Sequence, residues 1–252
     1  MEEKSIKVKI LYTIPNFDTA GSGKALFNIA TRLDRHLYEP HFLCLHDRGK
    51  FIDLVRESKI PLHIFNFMTP MKSRINGLKN CLIIAKNLKE ISPHIIHSFN
   101  YSSDYSEPLA AKIAGIPWVY TKKNMIWGGS SSNAWKIRTF LASHVLVQNK
   151  DMIRKFFPKI NNATLVPRGV RLEEFRKNGN TKNIRNEFNI SIKEKLIITV
   201  ANLAPVKGIE VLLQGFKKIV KSNHKARLII VGRKDNSYGE EMIDLSKKFG
   251  LD

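Results

Sequence analysis

Between Leu196 and Gly232 the chain reads LIITVANLAPVKGIEVLLQGFKKIVKSNHKARLIIVG, and no other stretch leaves its fold so few choices. An apolar run, a short loop ending in Lys207-Gly208, an amphipathic stretch of helical period and a second apolar run ending in glycine make one βαβ unit. The lysine sits where the first strand hands over to its helix. A helix N-terminus offers unpaired N–H groups and a partial positive charge, so an anion is stabilised there. A flanking lysine adds a full charge aimed at the same point.

The same alternation fills the rest of the chain. Apolar, often β-branched runs recur at Val8–Ile14, His41–Leu45, His63–Phe67, Ile95–Phe99, Trp118–Tyr120, Val145–Val147 and Thr164–Val166, mostly separated by helical patterns. Strands that alternate with helices form a parallel sheet covered on both faces. The stretch Arg176–Asn189 is polar and Asn-rich and reads as a linker. Residues 1–175 are therefore expected to form one complete Rossmann-like domain, and 190–252 part of a second.

Two further motifs precede the linker. The run Val8–Ile14 leads into P-N-F-D-T-A-G-S-G-K, then a helix with Leu26, Ile29, Ala30 and Leu33 on one face. Gly21-Ser22-Gly23-Lys24 is not a Walker A loop, because Asp18 and Ala25 stand where that motif needs Gly and Ser or Thr. It is not a dinucleotide fingerprint either, since Leu26 replaces the last Gly. What remains is a flexible loop at a helix start, either a plain turn or a place where backbone approaches a phosphate. The second motif is P-R-G-V-R-L-E-E-F at Pro167–Phe175.

In order and spacing, these motifs resemble those of the retaining, sugar-nucleotide-dependent glycosyltransferases of family 4, which have the GT-B fold. The resemblance covers essentially the whole chain. It implies a glycine-rich loop at Gly21, Ser22 and Gly23 facing the cleft, and a donor diphosphate held by Lys207 and Gly208 at the helix start. It also implies an arginine five residues before that lysine, where this chain has Asn202. Pro167–Phe175 stands for the hinge signature, with Arg168 where Asn is usual and Arg171 where Asp is usual. The family's paired Glu motif, which holds donor sugar and ribose, is expected beyond Asp252. On this reading the chain is a truncated enzyme with little activity alone. The resemblance further implies no protein nucleophile, the departing phosphate helping to deprotonate the acceptor.

Remaining candidates are weighed from the residues. His97 ends an apolar run, where relatives carry a histidine, and is either a satisfied structural residue or a catalytic one. His94 and His97 are three apart in a strand and face opposite sides, so they cannot share a metal. Lys123 is either a cleft-facing cation or a solvated loop lysine. Asp104 and Glu107 begin a helix, where acids suit its dipole, and are less readily acceptor ligands. No D-x-D motif occurs, so no metal is expected, and the only small molecule implied is the nucleoside-diphosphate sugar itself.

Charge bears on partners. The net charge is +20, and half of it arises between Thr121 and Ser191, with 14 Lys/Arg against 4 Asp/Glu. Such a field attracts polyanions, or is simply a solvated basic surface. Near Lys72–Glu90, Lys72, Lys79 and Lys86 form a cationic stripe beside Ile75, Leu78, Leu82 and Ala85, which suits contact with an anionic membrane. No nucleic-acid recognition motif accompanies the charge. Neither a signal peptide nor an apolar run long enough to span a bilayer is evident, and Cys44 and Cys81 read as reduced core residues. The expected setting is cytoplasmic, at the inner face of the membrane, with a glycan or lipid-linked acceptor. Two rivals stand beside this reading: a non-catalytic basic α/β module that binds anionic surfaces or a partner protein, and a sugar-nucleotide epimerase of the same architecture.

Overall fold

The structure is a computed structural model that describes residues 7–251 apart from 19, 50, 128–130, 160, 171 and 176–183. The chain divides into two compact units, Met1–Val170 and Arg171–Asp252. The first is built on a seven-stranded sheet with β1 Val8–Thr13, β2 Tyr38–Cys44, β3 Leu62–Ile64, β4 Ile95–Ser98, β5 Trp118–Lys122, β6 His144–Val147 and β7 Ala163–Leu165. Every pairing is parallel, and the order is β3-β2-β1-β4-β5-β6-β7. The connections carry α1 Ala20–Ala30, α2 Ile52–Glu57, α3 Arg74–Ile91, α4 Ser106–Ala114, α5 Ser132–Leu141 and α6 Lys150–Phe156.

Alternate strand residues divide between two cores, as a pleated strand requires. Leu11, Leu43, Ile96, Trp118 and Tyr120 pack with Cys81, Ile84 and Leu88 of α3, Ala110 and Ala111 of α4, and Trp135 of α5. Tyr12, Phe42 and Cys44 pack with Leu26 and Ala30 of α1 and with Ile52 and Val55 of α2. Both faces are thus covered, as a sheet of continuous apolar strands demands.

Four expectations change. Gly21, Ser22 and Gly23 lie inside α1 rather than in a loop. The burial of Phe17 and Leu26 fixes the helix start and overrides the poor helical propensity of glycine. Gly23 packs on Phe17, where a Cβ would lie 3.2 Å from the ring. Ile29 is exposed, the apolar face of α1 being carried by Leu26 and Ala30. On α3, Ala85 turns into the core, while Ile75, Leu78 and Leu82 stay outside. The run His63–Phe67 shortens to β3, which has one neighbour only, and Phe67 packs into the core beyond it.

The second unit holds a 3₁₀ turn at Leu172–Phe175, a short helix α7 Ile184–Glu187, and the parallel pair β8 Lys195–Val200 and β9 Ala226–Val231. Between and after the strands run α8 Ile209–Ser222 and α9 Ser237–Lys248. Of the expected linker, residues 176–183 lie outside the described residues, as does Arg171, while residues 184–187 are helical. The core of this unit is Leu203, Ile209, Leu213 and Met242, with Leu228, Ile230 and Leu245 packed against it.

Candidate active site

In an open parallel sheet, ligands bind beyond the carboxyl ends of the strands where the strand order reverses. In the first unit that point lies between β1 and β4, which end at Thr13 and Ser98. His97 is placed there, its ring 5.4 Å from that of Tyr12 and 4.7 Å from that of Phe99. Its Nε2 shares a 2.8 Å hydrogen bond with the Thr121 hydroxyl. Burial, with the Lys123 cation adding to it, pushes the pKa down to about 3. The imidazole is therefore neutral near pH 7 and already engaged, which suits a wall of the site better than a general base.

Lys123 follows β5 directly and meets the same place. Its ammonium donates to the Phe99 carbonyl oxygen and lies 5.3 Å from the Phe99 ring centroid. Burial, then repulsion from Arg168 and Arg138, brings its pKa down to about 7. Arg168 comes from the P-R-G-V segment, and with the Gln148 amide suitably turned, its Nε donates to that oxygen at 2.6 Å. The switch point thus joins His97, Lys123 and Arg168, while Gly21 and Ser22 enter only through the first turns of α1.

Of three further residues important to this place, the sequence reads Glu107 as a helix-start acid and singles out neither Lys122 nor Arg138. Lys122, which alternation turns opposite to Lys123, is fully buried. Its ammonium sits 5.1, 4.5 and 4.3 Å from the ring centroids of Tyr101, Trp127 and Phe156. It donates to the carbonyl oxygens of Asn124 and Ile126, so it ties down the segment after β5. Glu107 accepts from the Thr13 hydroxyl, from Ser98 Oγ at 2.9 Å and from Trp118 Nε1 at 3.1 Å. Arg138 of α5 faces it at 3.6 Å, and donates to the carbonyl oxygens of Asp104 at 2.6 Å and Asn100 at 3.0 Å. This buried pair braces the ends of β1 and β4 and the segment leading into α4. Asp104 itself accepts from the amides of Ser106 and Glu107 at 3.1 and 3.3 Å, as an acid at a helix start does. An aromatic cavity of ≈ 560 Å³ beside Trp127 and Trp135 has neither His97 nor Lys123 in its lining.

In the second unit, the chain leaves β8 through Ala201–Ala204 and tightens into a 3₁₀ turn at Pro205–Lys207 before α8. Gly208 joins turn to helix at φ +63°, in the left-handed region that favours glycine, with open space where a side chain would stand. Gly208 brings no capping side chain to α8, and the Tyr238 hydroxyl, which donates to the Glu210 carboxylate, lies with it against the amides of Ile209 and Glu210. Lys207 is exposed beside them. Asn202 lies on the same loop, but its Oδ1 accepts from the Arg233 amide at 3.1 Å. Among the described residues, no group of three or more His, Cys, Asp or Glu could hold a metal, and no helix is long and apolar enough to cross a membrane.

Fold and site together describe a two-unit α/β protein with cationic groups at the carboxyl ends of parallel strands. Residues 19–174 match the model of Glycosyltransferase Family 4, and residues 180–252 that of Glycosyl transferases group 1. The chain belongs to glycosyltransferase family 4. Over 97 residues it is 29% identical to the lipopolysaccharide 1,2-N-acetylglucosaminetransferase of Salmonella typhimurium, covering 36% of this chain and 25% of that protein. A glycosyltransferase from Rickettsia africae ESF-5 superposes with a TM-score of 0.76 at 16% identity, over 97% of this chain and 66% of that one. Anabaena HepE, in a complex with UDP, gives a TM-score of 0.76 at 17% identity, over 97% and 67% of the two chains. These likenesses show the GT-B fold, with its second domain partly covered. The chain spans a quarter of the curated relative and about two thirds of the two structures.

Proposed function

We propose that the protein transfers a sugar from a nucleoside diphosphate to a hydroxyl of a glycan or lipid-linked acceptor, with retention at the anomeric carbon. The entrance to α8 carries this reading. The start of α8, a left-handed Gly208 and exposed Lys207 come together there, inside the segment that matches the group 1 glycosyltransferases. The UDP held by HepE supports a uridine or related diphosphate as the ligand of that entrance. In the reaction the bond from the anomeric carbon to the diphosphate breaks and a bond to the acceptor oxygen forms. The acceptor's proton passes to the departing phosphate oxygen. Negative charge grows on the diphosphate, where the amides of α8 and the Lys207 ammonium stabilise it, without a metal in this reading. His97 and Lys123 belong to the acceptor side, as wall and as cation.

A second observation bears on the acceptor. On α3, Ile75, Leu78, Leu82 and Ile83 are exposed, Ile75 by 72%, on a helix that also exposes Lys79 and Lys86. A surface of this kind lays apolar side chains at the acyl boundary of an anionic bilayer and lysines among its headgroups. That favours a lipid-linked acceptor and a place at the inner face of a membrane. A purely membrane-binding, non-catalytic module has no use for the α8 entrance, and an epimerase fits the family match less well.

Titration of UDP into the wild type and Lys207→Ala tests the reading. Loss of one charge-assisted contact is expected to weaken binding about tenfold. Equal affinity for both proteins would remove Lys207 from the site.

A further inference from the structure

Strand register gathers basic groups at one corner of the first sheet. Lys122 lies beside Val147, and Val147 beside Leu165. Val147 and Leu165 pack into the core shared with α3, α4 and α5. Successive strand residues face opposite ways, so Lys123 and Gln148 are neighbours on the other face, the one that carries His97 and Thr121. β7 keeps step past Leu165, the Val166 amide donating to the Val147 carbonyl oxygen at 2.8 Å. Arg168, two residues on, returns to Gln148. With that amide suitably turned, its oxygen accepts from Arg168 Nε at 2.6 Å and from Nη2 at 3.2 Å. A neutral amide thus stands between a lysine and an arginine and holds the second against the first. Arg168 is also a place where this segment departs from the hinge signature it resembles.

We propose that Lys123 and Arg168 hold an anion at this corner, and that the acceptor of the transferred sugar carries a phosphate group. This rests on the reading of the acceptor side given above. Among the described residues no carboxylate acts on either cation. Burial lowers both pKa values, and Arg168 lowers that of Lys123 further, so the folded chain keeps positive charge here at a cost. The bracing arginine of the same unit is treated otherwise, since Arg138 faces Glu107 at 3.6 Å in full burial. His97 adds no charge, and Gln148 offers only a dipole. An anion from outside supplies the partner. A phosphate monoester suits the corner, with about 1.5 to 2 negative charges and three acceptor oxygens to meet an ammonium and a guanidinium at once. A carboxylate brings one charge and leaves one cation unmatched. A phosphorylated sugar and a lipid headgroup both present this same group.

The test is calorimetric titration of glucose 6-phosphate, glucose and dihexanoyl phosphatidic acid into the protein and its variants Arg168→Ala, Arg168→Lys and Lys123→Met. UDP is kept in excess, so that the entrance to α8 is already filled. At least one phosphate compound is expected to bind, and glucose not measurably. Arg168→Ala and Lys123→Met are each expected to weaken that compound about tenfold, and Arg168→Lys by less. UDP binding should persist in all three variants, which reports that they fold. Preference for glucose 6-phosphate assigns the group to a sugar, and preference for the phosphatidic acid assigns it to a lipid headgroup. Equal affinity of the wild type and Arg168→Ala, or glucose bound as well as its phosphate, overturns the site. So does a wild type that binds neither phosphate compound. Should the phosphate compound be held through Arg168 while UDP fails to bind the wild type, the assignment to an acceptor falls with the donor reading and only an anion site is left.

Discussion

Lys123 and Arg138 show how differently buried cations behave a few ångströms from one switch point. Among the described residues no carboxylate acts on Lys123, and burial lowers its pKa to about 7. In the unfolded chain it titrates at the ordinary lysine value, so the folded state binds the proton less well. Its penalty on stability is complete below pH 7 and fades as the pH rises from there towards the unfolded value. Lys123→Met should therefore raise the melting temperature more at pH 6 than at pH 9, and equal gains would contradict the assignment. Arg138 is instead paired with Glu107 in full burial. Arg138→Met leaves the carboxylate buried without its cation, and a loss of about 3–5 kcal/mol in urea unfolding is expected. The sequence offered Lys123 as a candidate cleft-facing cation, but Arg138 sits in a helical stretch and nothing local marks it. Its one trace is Trp135 three positions earlier, which shares its helix face and is itself buried.

Among elements, the strands were legible because burial on both faces leaves only apolar runs, and the βαβ unit of Leu196–Gly232 is found as β8, α8 and β9. The helices were less so, because their period identifies an apolar stripe without saying which way it faces. On α3 the core takes Cys81, Ile84, Ala85 and Leu88, so the stripe of Ile75, Leu78 and Leu82 is left over rather than buried. The glycines of α1 misled for a related reason, since packing on Phe17 is invisible in a local motif. The α3 surface has its own consequence. Replacing Lys72, Lys79 and Lys86 by Glu should reduce sedimentation with phosphatidylglycerol vesicles at least about tenfold, and added salt should do likewise. Vesicle binding that ignores lipid charge would rule this surface out as the docking element.

At the scale of the molecule, the two units differ in what holds them. The first has two extensive cores, one on each face of seven strands. Among the described residues the second has two strands and a smaller buried centre around Leu203, Ile209, Leu213 and Met242, with Val200 and Val231 exposed. Calorimetry should then show two transitions, the second unit melting first, and a single coincident transition would contradict that order. Strand order has a further effect, on the sequence of events during synthesis. β1 pairs with β2 on one side and with β4 on the other. Residue 95 must leave the ribosome before β1 gains that second neighbour, and Lys123 must follow before the switch point is furnished. Until then a nascent apolar strand keeps an open edge, the condition under which chains mispair or recruit chaperones. The place best suited to bind a ligand is in this way the seam at which two halves of a sheet meet late.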